Sequence, residues 1–380
     1  MKYVRGDIIT GGHRLEDKVI GVSNGKIVSV GEGESVPDAP VHRVNGVICP
    51  GFVDIHIHGL CGYDFMDGAS VFDEIAGRLP RYGVTSFLAT SRTSKPSELR
   101  AFLHHAQEFR RKNPTGSGLL GVHIEGPWIS PLYPGAQNKS LIKKFSKEDI
   151  RDIIEPFSDL ISIVTLAPEE VGDVSLFKEL VEKGIRISAG HTQASMEEIG
   201  VAIKHGLSQV THTFNAMSPV HHRKPGTAAA ALFYEELACE IITDGLHVHP
   251  NMIELLYKIK GKEKMLLISD CTGYNDLEDG EYSFRGKELV KTRDKVTLKN
   301  GALAGSAITL DKGIKYVVEH CGIPLEDAVY MASEGPLHVI GKDISKGRIE
   351  VGYDADLVVL EEDLSVAATY LNGEVVYKEE

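Results

Sequence analysis

Six histidine and acidic side chains fall in short segments that otherwise read as β-strand. They are His56 and His58 in GFVDIHIHG, Glu125 in GLLGVHIEGP, His191 in IRISAGHT, His212 in QVTHTFNAM and Asp270 in MLLISDCTG. Neutral imidazole and carboxylate together suit zinc, iron, cobalt or manganese, whereas calcium prefers an all-oxygen shell. His56 and His58 are separated by one residue, so on a strand they project to the same side and can reach one ion. A lone strand histidine is more often a core or surface residue than a ligand. Recurrence of ligand types at the ends of successive strands is what points to a metal centre. Asp270 invites a further role, because a carboxylate beside a water whose pKa a metal has lowered to about 7 can take its proton. The plainer use of a strand-end Asp is to cap the next segment, and its company of histidines favours the chemical one.

Residues so far apart need a frame that brings strand ends together. Eight strand candidates run through the middle of the chain: GFVDIHIHG, GVTSFLATS, GLLGVHIEGP, LISIVTLAPE, IRISAGHT, QVTHTFNAM, CEIITDGLHV and MLLISDCTG. Amphipathic stretches such as FDEIAGRLPRYG, PSELRAFLHHAQEFRRK, DVSLFKELVEKG, SMEEIGVAIKHG and HPNMIELLYKIKG alternate with them, several ending at a Gly that reads as a helix C-cap. Repetition at about 30 residues per unit predicts an α/β fold, a (β/α)8 TIM barrel whose catalytic groups sit at the C-terminal ends of the strands. On its first strand Val53, Ile55 and Ile57 alternate with the histidines and are expected to pack against the helices. A doubly wound open sheet would carry a Gly-rich dinucleotide turn after an early strand, and none is present. Both chain ends instead read as short strands with SNGK and NG hairpin turns. We therefore expect residues 1–50 and 345–380 to form a small β-sandwich side domain and residues 51–344 the barrel.

Composition excludes several other classes. With 42% hydrophobic and 25% charged residues among 380, the chain can bury a sizeable core. A net charge of −13 without a basic run argues against nucleic acid as a partner. No stretch approaches a membrane span, and the N-terminus lacks the apolar region of a signal peptide, so no membrane partner is expected. Five scattered cysteines without a C-x-x-C pair indicate neither a disulfide framework nor a zinc ribbon, and a reducing cytoplasm is the simplest setting. Solvated or capping roles suffice for His104 and His105 and for the histidines near turns, such as His13 and His338. His123 shares a strand face with Glu125, and Trp128 in EGPW is either a pocket wall or core packing.

PGFVDIHIHG, HIEGPW, SAGHT, THTFNAM, DGLHV, ISD and LAGS, in that order through nearly the whole chain, resemble the N-acetylglucosamine-6-phosphate deacetylases of the amidohydrolase superfamily. The resemblance implies a principal metal site at Glu125, His191 and His212. It implies a second at His56 and His58, where single-metal members carry Gln and Asn, with Glu125 bridging and Asp270 near the second ion. One or two divalent ions, Zn2+ or Fe2+, are implied per subunit. Asn215, the backbone at Ala216 and Arg223 match sugar-phosphate contacts, and His247 matches a residue reaching a phosphate in the neighbouring subunit of a homodimer. An Arg fork suits phosphate oxygens independently, although a surface Arg in HHRKPG is the simpler reading. Leu303, Ala304 and Ser306 of LAGS correspond to a hairpin closing over the sugar and acetyl group.

The chain departs from the family where many members read Gly-Ala-His: PGAQN places Gln137 there. A Gln amide still donates a hydrogen bond to a carbonyl but is neutral at every pH. The implied reaction is hydrolysis of the acetamide of N-acetylglucosamine 6-phosphate to glucosamine 6-phosphate and acetate, with Asp270 carrying the proton to the leaving amine. The galactosamine epimer stays open as substrate. Cyclic-amide hydrolases bridged by a modified lysine are disfavoured because the fourth strand ends in LAPEE, and a catalytically silent sugar-phosphate binder would be expected to lack a ligand or the base.

Overall fold

The computed structural model describes residues 1–32, 41–112, 115–284, 287–293, 295–299, 301, 303–342 and 345–379. The expected boundary at 344/345 falls on residues 343–344, outside that set.

Eight strands form one parallel sheet in chain order. They are β1 (Phe52–Ile57), β2 (Val84–Thr90), β3 (Gly118–Glu125), β4 (Ile161–Leu166), β5 (Arg186–Ala189), β6 (Leu207–Val210), β7 (Ala238–Ile242) and β8 (Met265–Ile268). The sheet curls until β8 meets β1, where the Asp270 N–H donates to the His56 carbonyl at 2.9 Å. Residues of β1, β2, β4, β7 and β8 are almost all buried, as strands sandwiched between a packed interior and an outer ring of helices must be. Helices at Pro96–Lys112, Met196–Lys204 and Pro250–Lys264 lie where the apolar periodicity predicts them. After Ser70–Arg78 the chain tightens into a 3-10 turn closed by Gly83 at φ 73°, a conformation that favours glycine.

The first strand differs from simple alternation. Val53 and Ile55 join Leu88, Ile163, Ile242, Leu266 and Ile268, residues from strands all around the barrel, which only the interior can bring together. Ile57 instead joins the outer cluster with Phe87 and Phe102. The ladder between β1 and β2 shifts register between Asp54 and Ile57, and a shift of that kind reverses side-chain direction. Apolar residues thus fill the lower interior while His56 and His58 turn inward above them.

The two chain ends meet in a seven-stranded sheet of Lys2–Thr10, His13–Ser23, Lys26–Glu32, Val41–Pro50, Leu357–Leu360, Val366–Leu371 and Glu374–Lys378. Its hairpin turns at Asn24–Gly25 and Asn372–Gly373 have positive φ at both residues, as type I′ turns require. The sheet folds over its own core of Ile8, Ile20, Ile27, Ile48 and Leu357, so that the Ile27 N–H reaches the Tyr353 carbonyl at 2.9 Å. Beyond β8, strands Gly280–Phe284, Lys287–Thr292 and Lys295–Leu298 make a small antiparallel sheet. It is tied to the LAGS segment by the Thr297–Leu303 bridge and by the Ala304 N–H donating to the Val296 carbonyl. No helix among the described residues is long and apolar enough to cross a membrane.

Candidate metal centre

At the C-terminal mouth of the barrel, β3 ends in Glu125, and His191 and His212 follow β5 and β6 directly. Three donor atoms, Glu125 Oε1, His191 Nε2 and His212 Nε2, form an equilateral triangle with sides of 3.1 Å. A tetrahedron around an ion with ligands at about 2.0–2.1 Å has edges of roughly 3.3–3.4 Å, so the triangle fits one face of such a site. Donor chemistry agrees. His191 Nδ1 lies 3.0 Å from the Tyr133 carbonyl, which can only accept, so Nδ1 carries the proton and Nε2 keeps its lone pair.

A second set faces the other side of Glu125. His58 Nε2 is 3.2 Å from Asp270 Oδ1 and 3.4 Å from Glu125 Oε2, and His56 Nε2 is 3.5 Å from Asp270 Oδ1 and 3.7 Å from Glu125 Oε1. Glu125 therefore presents an oxygen to each set, and both His56–His58–Glu125 and Glu125–His191–His212 are groups that could hold a metal ion. All six side chains are buried. Among the described residues, His56 Nε2, His58 Nδ1 and His212 Nδ1 have no hydrogen-bond partner.

Backbone strain collects at the same point. His191, His212 and Asp270 have φ of 47°, 32° and 47°, as do nearby Phe214 and Ala216 at 79° and 48°. Non-glycine residues in this region carry a conformational cost, which surrounding structure sustains most often at functional sites.

Electrostatics inside the cluster are strongly perturbed. Burial alone would raise the Glu125 carboxyl, but the imidazoles of His191, His212 and His58 against it hold it well below the usual carboxylate range. Asp270 is likewise lowered, its burial outweighed chiefly by His56 and His58. His56 is pushed the opposite way, up to about 10, because Glu240 and Asp270 overcome its burial. His123 falls to about 4 through burial and the neighbouring His56, and so is neutral. Its Nδ1 donates to the Ile55 carbonyl at 3.1 Å and its Nε2 accepts from Thr165 Oγ1 at 2.7 Å, which makes it a support beneath the cluster.

The centre opens into a cavity of about 440 Å3 lined by His58, Glu125, Gln137, His191, His212, Asn215, Ala216, His247, Asp270, Leu303 and Gly305 among others. Asp244 sets His247, taking a 2.6 Å bond from Nδ1 while its other oxygen accepts from the Leu246 and His247 amides. Gln137 bonds Glu125 through its NH2 and receives the Thr93 N–H on its oxygen at 3.0 Å. Ala304 lines an adjoining cavity of about 660 Å3. Ser306 lies behind Asp270, its N–H donating to the Asp270 carbonyl at 3.2 Å. Arg223 is exposed on the loop after Ala216 and is not among the residues lining either cavity. Trp128 is fully buried edge-on to Phe145, and packing accounts for it.

Sequence reasoning missed Glu240, a buried carboxylate on β7 bonded to His56. Its signal was available: a single acid within the otherwise apolar run ACEII. It also missed the Tyr133 carbonyl, for which no sequence signal exists.

Comparison with known proteins agrees with this geometry. The model of the amidohydrolase family matches residues 47–376. The N-acetylglucosamine-6-phosphate deacetylase of Bacillus subtilis is 36% identical over 97% of this chain and 95% of its own length. The N-acetylgalactosamine-6-phosphate deacetylase of Escherichia coli O157:H7 is 31% identical over 95% of each. Among solved structures, a mutant N-acetyl-D-glucosamine-6-phosphate deacetylase from Mycobacterium smegmatis, in complex with N-acetyl-D-glucosamine 6-phosphate, superposes with a TM-score of 0.91 at 29% identity, covering 99% of both chains.

Proposed function

The chain belongs to the amidohydrolase family, within the N-acetylglucosamine-6-phosphate deacetylase group, and from that premise we propose that it hydrolyses the acetamide of N-acetylglucosamine 6-phosphate. The observation that carries the proposal is the Glu125–His191–His212 triangle with Asp270 opposite it, at the floor of a cavity large enough for one amino-sugar phosphate. Glu125, His191 and His212 would hold one divalent ion, and His56, His58 and Asp270, with Glu125 bridging, a second; zinc or iron suits these donors. When bound, such an ion supplies Lewis-acid polarisation of the amide carbonyl and lowers the pKa of the attacking water.

Asp270 takes the proton of that water and delivers it to the departing nitrogen, so that glucosamine 6-phosphate leaves as an amine. His56 and His58 keep Asp270 ionised, so an oxygen is open to accept. Gln137, whose NH2 bonds Glu125, is poised to turn that donor toward the acetyl oxygen once substrate enters. Asn215 and the backbone of Ala216 bind the sugar phosphate along one wall. Arg223, seven residues beyond Ala216 on an exposed loop, serves a phosphate held at the rim. Leu303, Ala304 and the segment reaching Ser306 cover the sugar and acetyl group from the opposite side. A homodimer, with His247 reaching the neighbouring subunit's phosphate, belongs to the same reading and is supported by His247 at the cavity edge beside exposed Leu246. Five free cysteines suit a reducing, cytoplasmic setting.

A second reading keeps the chemistry and changes the epimer to N-acetylgalactosamine 6-phosphate, favoured by Gln137 in place of the expected His and by the 31% identical galactosamine relative. Acetate release from phosphorylated and free N-acetylhexosamines of both epimers, on protein with counted metal, tests both. No release from any of them would refute the deacetylase assignment.

A further inference from the structure

Glu240 on β7 is a buried carboxylate to which the proposed reaction gives no task. It is 0% exposed. Its Oε2 lies 2.8 Å from His56 Nδ1 and 3.3 Å from the His212 backbone N–H, and its Oε1 accepts from Gln209 Nε2 at 2.6 Å. Taking a carboxylate out of water is costly, so a strand that needed only packing here would carry an apolar side chain. We propose that Glu240 is a positioning residue that holds His56 in the tautomer whose Nε2 lone pair faces the cavity, and so makes the His56–His58 pair an ion-binding site. This rests on the two-ion reading of the centre.

The argument runs through donors and acceptors. Gln209 and the His212 amide both donate to Glu240, which therefore acts as an acceptor, and the hydrogen bond with His56 places its proton on Nδ1. His56 Nε2 is then the nitrogen that gives up its proton to an ion, and among the described residues it is buried without a hydrogen-bond partner. Its neighbours are acceptors: Asp270 Oδ1 at 3.5 Å and Glu125 Oε1 at 3.7 Å. Acceptors that face one another in a dry interior need a proton or a metal cation between them, and an ion bound here takes the place of the second proton that the raised pKa of His56 lets its Nε2 hold. The orienting of one ring nitrogen by a carboxylate while the other faces a metal is a recurrent arrangement in metal sites. Among the described residues His58 has no such support, its Nδ1 being without a hydrogen-bond partner. The pair is thus unequal, and its geometry depends on Glu240 through His56. His123, although grouped with His56 and Glu240 as potential ligands, already engages both ring nitrogens and completes no separate ion site.

Glu240→Gln preserves size and a neutral acceptor, while Glu240→Val removes both. The full chain, stripped with a chelator, is titrated with Co2+ by visible absorption, and bound Zn2+ is counted by elemental analysis. The expected result is two ions per wild-type chain, with the second bound about 10–100-fold more weakly in Glu240→Gln and lost in Glu240→Val, the first ion being unaffected in Glu240→Gln, which keeps an acceptor for the His212 amide. A single equivalent in wild type, or two ions at wild-type affinity in a folded Glu240→Gln, overturns the proposal. Should the variants not fold, nitrogen-15 histidine spectra of zinc-loaded wild type decide it: His56 must carry its proton on Nδ1, and a proton on Nε2 overturns the assignment. Acetate release by wild type is measured separately, so deacetylation without the metal result refutes the inference alone, and the metal result without deacetylation refutes the reaction alone.

Discussion

Gly135, in the loop that carries Gln137, lies against the metal triangle, and Gly135→Ala should damage the centre with little harm to the fold. Its φ is 52°, and a Cβ added there would lie 2.9 Å from His191 Cε1, 3.3 Å from Nδ1 and 3.5 Å from Ala216 Cβ. Carbon atoms in contact rest at about 3.5–4.0 Å, so the His191 ring or the loop must move by roughly 0.6 Å or more. The ring is not free to turn away, because its Nδ1 is tied to the Tyr133 carbonyl two residues before Gly135. His191 Nε2 therefore leaves its place in a triangle of 3.1 Å sides. Productive sites tolerate about 0.5 Å of displacement, and about 1 Å can cost on the order of 100-fold. We expect kcat/KM for acetate release to fall about 10–100-fold, equivalent to about 1.4–2.7 kcal/mol. A left-handed alanine costs about 1 kcal/mol of stability, which in a chain of this size lowers Tm by about 2 °C. Thermal melting, cobalt binding and acetate release together separate the effects. A variant that melts as expected yet keeps kcat/KM and ion affinity within twofold of wild type would refute the reasoning.

Asp270→Asn should keep the principal ion, as counted by elemental analysis, and lose about 100–10,000-fold in kcat; near-normal turnover excludes Asp270 as the proton carrier. Asp244→Asn replaces the acceptor for His247 Nδ1, so KM for the sugar phosphate should rise about tenfold by loss of a charge-assisted hydrogen bond, with kcat and the unphosphorylated sugar little changed. An equal effect on both substrates argues against a phosphate contact at His247. Chelation should lower Tm, since an ion present at 100 times its Kd stabilises the folded chain by about 2.7 kcal/mol; an unchanged melt would show that the acceptor cluster needs no ion for stability.

Local pattern made much of this molecule legible. Strand-length apolar runs alternating with amphipathic helices gave the barrel its eight units, and the Asn-Gly turns marked both terminal hairpins. Ligand types at strand ends marked Glu125, His191, His212, His56, His58 and Asp270, which the fold gathers at one mouth. Other assignments were beyond local pattern. Trp128 reads equally as wall or core until Phe145 is seen beside it. Gln137, expected to face an acetyl carbonyl, bonds Glu125 across 12 residues of chain. Arg223 sits on an exposed loop whose relation to the cavity no spacing predicts.

By itself, the sequence determined which side chains could bind an ion and that repeated βα units would carry them to strand ends, because periodicity and turn chemistry act over a few residues. Only the tertiary structure decided which way those side chains point and what supports them. The register shift in β1 sends Val53 and Ile55 into the core beneath His56, and barrel closure sets Glu240 against His56 across 184 residues. Such pairings depend on strand register and curvature, which arise when the whole barrel closes and minimises buried, unpaired polar groups.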